Sequence, residues 1–230
     1  MQSGLVAKVH GSFDDISEER FPITREDGLK TSLNIRDRVT NKSGDRIITG
    51  VAAEERRVDN KTSEIMDDGG INEDILDTGI DTASAQFTMV PSEFVVVESS
   101  NAEFVMELIG KETESMISPV NFNLDAISAN YADNRANIWM TGFYDYAGNA
   151  NSGVAYGNSV YDDNDLGPIV RDGKMNQLGM TFERGNDEVK LMITESGYVR
   201  VYSPSEYGNP SFVRLVKEFI NEYGIESDRS

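Results

Sequence analysis

Cysteine is absent from the 230-residue chain, so neither disulfides nor thiolate chemistry can operate. Histidine occurs once, at His10, and tryptophan once, at Trp139. With one imidazole in the whole chain, neither a histidine-based catalytic triad nor a zinc site is expected. No apolar run reaches the roughly 20 residues that cross a membrane as a helix. Met1-Gln2-Ser3-Gly4 lacks the long apolar core of a secretory leader. No phosphate-binding loop, dinucleotide glycine motif or nucleophile elbow is found. The expectation is a protein without cofactor or membrane partner, in a cytoplasm or in a virion assembled there.

Basic residues are also few. There are 21 Lys and Arg against 40 Asp and Glu, a net charge of −19 and a pI near 4.3. Hydrophobic residues make up 38% of the chain and fall in periodic stretches, which argues against a disordered acidic protein. Scarce lysine and dispersed carboxylates resemble the usage of halophilic archaeal proteins. Above about 1 M salt the Debye length falls to about 3 Å, so such self-repulsion is tolerable. The acidity then reflects solubility and says little about a partner.

What is present is clearest from Leu178 to Gly224. Met180, Phe182, Leu191, Ile193, Val199 and Val201 alternate with polar residues at period two, which predicts half-buried strands over 178–183, 189–194 and 198–202. Glu195-Ser196-Gly197 suits a tight hairpin. A helix over 211–223 should follow, with Asn209 as N-cap, Pro210 at its first position and Gly224 as C-terminal cap. Phe212, Val216, Phe219, Ile220 and Tyr223 share its apolar face, so it should lie across one face of an antiparallel sheet. Gly179-Met180-Thr181-Phe182, then Val189 through Val199, then a helix ending in Glu222-Tyr223-Gly224-Ile225, resembles one half-repeat of the TATA-binding protein fold. The family uses two tandem repeats, and one copy is found here over about a fifth of the chain. The resemblance implies strands covered by a helix and transfers no function.

The remaining segments follow in order. Leu5–Phe13 reads as a strand, with His10 off its apolar phase in a structural or exposed role. From Arg20 to Lys61 there are ten basic residues against seven acidic ones, net +3. Two strands, Ser32–Ile35 and Arg46–Val51, should flank a turn at Asn41–Gly44. Arg36, Arg38, Lys42, Arg46, Arg56 and Arg57 are candidates to contact phosphates or an acidic partner, against the simpler reading of surface salt pairing. Asn60–Asp81 carries many carboxylates and Gly69-Gly70, without the ligand spacing of a calcium loop; residues 60–84 are expected to be an acidic flexible linker. Strands are expected at Ala85–Val90 and Glu93–Glu98, then a helix capped at Ser100-Asn101 and stopped by Gly110, with Glu103 and Glu107 solvated. A short helix should begin near Asn123–Ile127.

Asn137–Tyr144 is a further strand. Trp139, Phe143, Tyr144, Tyr146 and Tyr156 could fill a core or protein interface, or stack on bases. Asp162, Asp163 and Asp165 could hold Mg²⁺ in a metal-dependent enzyme acting on nucleic acid, though no companion Lys or Glu lies at a nuclease spacing.

Together these readings predict an α+β chain: a smaller β-rich region (1–59), the linker, and a domain over 85–230 whose mainly antiparallel sheet packs against two helices. The expected function is a non-enzymatic binding or regulatory protein of a halophilic archaeon or its virus, with nucleic acid or protein as partner. A self-assembling structural subunit is the alternative, and the nucleic-acid enzyme a third.

Overall fold

Alternation around Leu178–Val201 produces the strands it predicts, within a much wider sheet. The computed structural model describes residues 2–16, 22–98, 102–133, 137–146 and 151–226. Its strands are β1 (Ser3–His10), β2 (Ile23–Thr24), β3 (Lys30–Thr40), β4 (Arg46–Ile65), β5 (Ile71–Val90), β6 (Phe94–Glu98), β7 (Met116–Phe122), β8 (Asn137–Tyr144), β9 (Ser152–Tyr156), β10 (Lys174–Arg184), β11 (Asp187–Thr194), β12 (Tyr198–Ser203) and β13 (Gly224–Glu226). Its helices are α1 (Ala102–Thr113), α2 (Leu124–Asp133), α3 (Leu166–Asp172) and α4 (Asn209–Tyr223). The fold is α+β, with four helices among the described residues where two were expected.

Every strand pairing is antiparallel, in the order β2-β3-β4-β5-β6-β1-β12-β11-β10-β8-β9. The sheet forks at β1. Ser3–Leu5 pair with β12, whereas Ala7–His10 pair with β7, which in turn carries β13. Gly197 in the β11–β12 turn sits in the fork. It has φ +89°, and a Cβ there would drive into the Val120 carbonyl of β7. The hairpin glycine expected from sequence therefore serves both the turn and the branch point. His10 ends β1 with Nε2 2.9 Å from Ser118 Oγ on β7, a position consistent with the structural role.

Two cores lie on the two faces of the sheet. On one face α2 and α4 cover Leu178, Met180, Leu191, Ile193, Val199 and Val201 and reach across to Ile47, Val90 and Phe94. Phe212, Val216, Phe219 and Tyr223 are buried as the helical periodicity predicts, and Phe219 meets Phe122, Tyr131 and Tyr223 ring to ring at 5.9–6.4 Å. Lys217 ties this helix to the other half of the chain, donating to Asp45 at 2.7 Å and to Glu93 at 2.8 Å. On the opposite face α1 buries Phe104, Val105, Leu108 and Ile109 against Ala7, Phe87, Met89, Val95 and Val97.

Several expectations are corrected. Residues 60–84 do not form a linker. Their strands pair through Ile65↔Ile71 as the outer part of a β4–β5 ribbon. The segment was misread because almost all of its described side chains are exposed, so no apolar phase marks it. Nor does 1–59 stand apart, since β1 lies between β6 and β12 in the middle of the sheet. Gly110 does not stop α1, which continues to Thr113 and gives way at Glu114, φ +52°. Ser115 N–H donating to the Gly110 carbonyl at 3.0 Å closes that end. The proposed cap at Ser100-Asn101 lies outside the described residues. Asn209 is the first residue of α4, and Gly208 takes the N-cap place. α2 extends well beyond Ile127, and Asn123 Oδ1 accepts from the Ala126 N–H at 3.0 Å.

Candidate functional site

The basic hairpin forms as expected. β3 and β4 pair from Thr40↔Arg46 to Thr31↔Glu54, around a turn whose Gly44 has φ +91°. Its arginines, however, are engaged within the fold. Arg38 Nε donates to Asp15 Oδ1 at 3.0 Å and its Nη2 to the Ile16 carbonyl at 3.0 Å, while Arg46 forms an ion pair with the other oxygen of Asp15. Burial alone would raise the Asp15 pKa. The Arg38 hydrogen bond, the Ile16 N–H and both guanidinium charges outweigh it and hold the carboxyl below its usual range. Arg36 reaches Gln86 at 3.5 Å. Arg56 pairs with Glu54 and lies over the Phe104 ring, 5.4 Å from its centroid. Arg57 donates to the Asp27 carbonyl at 3.3 Å. Lys42 is exposed in the turn. Arg46 and Arg56 are ten residues apart along β4, about 33 Å at about 3.3 Å per residue. The structure therefore brings Arg38 and Arg46 together and leaves Arg56 and Arg57 distant.

The acidic knot is also absorbed locally. Asp162 lies in a short 3₁₀ turn, Val160–Asp162, and Asp165 precedes α3. Asp163 Oδ1 accepts the N–H groups of Leu166 at 2.8 Å and Asp165 at 2.9 Å, which lower its pKa. Among the described residues, no three His, Asp or Glu side chains converge as metal ligands. A groove of about 1260 Å³ runs beside α1. Glu103 and Glu107 lie exposed along it, as expected, and Arg25 and Glu54 in its wall are paired with each other at 3.2 Å.

A different surface remains open. α1 covers the β4–β6, β1 and β7 part of its face, and no described helix covers the β8–β12 half of that face. The register sets Tyr156, Met140, Gly179, Met192 and Arg200 in one row across five strands. Beside this row the Trp139 indole lies over Gly179, where a Cβ would come within 2.7 Å of the ring. Glycine is required here by close approach alone. A bulge between Gly179 and Met180 releases Trp139 from the regular ladder. Lys190 Nζ stands 4.6 Å from the Trp139 centroid, and the Arg200 guanidinium 4.9 Å from that of Tyr202. The two rings meet edge to face at 5.8 Å. Tyr202 is 41% exposed and Tyr156 68%. Neither Lys190 nor Arg200 forms an ion pair among the described residues. In a chain of −19, two cations held by rings rather than by carboxylates form a distinct surface.

Of the five aromatics singled out from sequence, Trp139 and Tyr156 belong to this surface. Phe143 and Tyr146 instead pack in a small core with Ala155 and Val160. Tyr144 donates to Glu195 at 3.3 Å and lies under Lys174, 5.8 Å from its centroid. Lys190, Met192, Arg200 and Tyr202 were missed. The signal was the polar phase of β11 and β12, which places a cation two residues from an aromatic at Arg200 and Tyr202. No protein-family model and no curated protein matches the chain. No described helix is long and apolar enough to cross a membrane.

Proposed function

We propose that this is a non-enzymatic binding protein adapted to the high-salt interior of a halophilic archaeal cell, or to a virus made there, and that it holds an anionic partner on the open half-face of β8–β12. The observation that carries this reading is the pair Lys190–Trp139 and Arg200–Tyr202, cations stacked on rings and free of carboxylates. Such pairs offer charge and an apolar plate at one place. Because the hairpin arginines serve the fold, the expected contact moves from Arg36–Arg57 to this face. The order of strands, hairpin and helix over 178–225 supports the likeness to a TATA-binding half-repeat, as a proposal about fold alone.

Trp139 is the sole tryptophan, so its fluorescence reports on this face directly. Poly-glutamate and an oligothymidylate are each titrated in about 1 M KCl, where the Debye length is about 3 Å. The expected result is saturable quenching by at least one of them, lost in Lys190→Ala/Arg200→Ala. Absence of quenching by both in a protein that is monomeric overturns the reading. A self-assembling subunit is the second reading, favoured by the exposed apolar tip of the β4–β5 ribbon.

A further inference from the structure

Beyond Glu54, β4 loses its partner β3, and β5 meets β6 only from Gln86 onward. Among the described residues, the two strands pair only with each other between these limits. The base of this ribbon is braced by Arg25, which donates to the Glu55 carbonyl, and by Arg57 on Asp27. From Val58 outward no described element flanks it. The eight residues to Ile65 carry it about 26 Å at about 3.3 Å per residue. A two-stranded ribbon alone is marginally stable in water, so an arm of this length calls for a surface to lie on.

Its tip is not built for water. Ile65 and Ile71 form a cross-strand pair, 80% and 70% exposed, and Met66 beside them is 48% exposed. The sequence from Val58 to Thr78 also carries seven carboxylates and one lysine. The tip is thus apolar and anionic together. The open half-face is its counterpart, with Trp139, Tyr202 and Met192 as apolar plates and Lys190 and Arg200 as unpaired cations. A chain cannot fill its own site by this route. The ribbon continues β4 and β5 along the strand axis, whereas β12 lies three strands to the side of β5, about 14 Å at about 4.8 Å per strand.

We propose that the partner of the half-face is a second copy of this chain: the β4–β5 tip of one molecule docks on the β8–β12 face of the next. This rests on the reading of the half-face given above and adds the occupant and the polarity. The contact joins two different patches, so it is heterologous and generates a ring or an open filament.

Light scattering coupled to gel filtration, in about 1 M KCl to limit the Debye length to about 3 Å, tests it with two variants. Ile65→Ser/Ile71→Ser removes the tip at exposed positions, and Lys190→Glu/Arg200→Glu reverses the face; circular dichroism confirms that each is folded. The wild-type chain should form species that grow with concentration or close at a fixed size above dimer. Each variant alone should be monomeric. Their mixture should give a 1:1 dimer and nothing larger, because one supplies an intact face and the other an intact tip. A wild-type monomer throughout, an oligomer unchanged in both variants, or a mixture that stays monomeric overturns the proposal. If the wild type is monomeric while Trp139 is quenched by poly-glutamate or oligothymidylate, the half-face reading stands and the second copy is excluded as its occupant. If neither assembly nor quenching occurs, both readings fail.

Discussion

Lys217 shows how one side chain joins distant parts of this sheet. It leaves α4 and ends between Asp45, in the β3–β4 turn, and Glu93, beside β6. Burial alone would lower its pKa, but its hydrogen bonds to Asp45 and Glu93 prevail and hold it above 10.5. Asp45 is held below 3.8 by the Lys217 hydrogen bond and then by that of Asn41. The signs define a window. The raised lysine contributes fully below 10.5 and is lost as pH climbs through its folded value; the lowered carboxyl contributes above 3.8 and is lost as pH falls through its folded value. Lys217→Met should therefore cost about 1 kcal/mol at pH 7, kept small by solvent around the half-exposed Glu93. Urea unfolding of the two proteins should show the gap closing below pH 3.8.

Among the elements, α3 depends on a residue first considered for metal binding. Asp163 accepts two backbone N–H groups at the start of this short helix, so Asp163→Ala should speed hydrogen exchange at the Asp165 and Leu166 amides, and adding Mg²⁺ should not restore protection. The same loss should appear in the parent protein once pH falls below the lowered pKa of Asp163. Comparison of elements also shows why some were legible. β10, β11 and β12 each bury one side, so Leu191 and Ile193 alternate cleanly with Lys190 and Met192. Along β4 the described side chains of the outer ribbon are exposed, and Lys61 and Glu64 therefore read as linker. The half-face escaped for another reason. Trp139, Lys190 and Tyr202 come from β8, β11 and β12, and only the strand order and two bulges bring their rings and charge together.

For the whole molecule, 40 carboxylates against 21 cations set the response to salt. Arg25, Arg38, Arg46, Arg56 and Lys217 lie in local ion pairs, and a net charge of −19 is left to be screened. The melting temperature should rise as KCl is increased toward about 1 M, where the Debye length is about 3 Å. A flat or falling curve would remove the case for a high-salt origin.

The fork at β1 bears on how such a chain reaches this state. β1 pairs on one side, through Leu5–Lys8, with Phe94–Val97 and on the other, through Ser3–Leu5, with Tyr198–Arg200. During synthesis the first of these partners emerges about a hundred residues before the second, an interval of roughly 5–20 s at ribosomal speeds of 5–20 residues per second. Throughout it the centre of the future sheet is an open edge, able to pair with any neighbouring nascent strand. Crowding of ribosomes on one message is therefore the condition under which this protein should misfold most, and slowing initiation should raise its soluble yield.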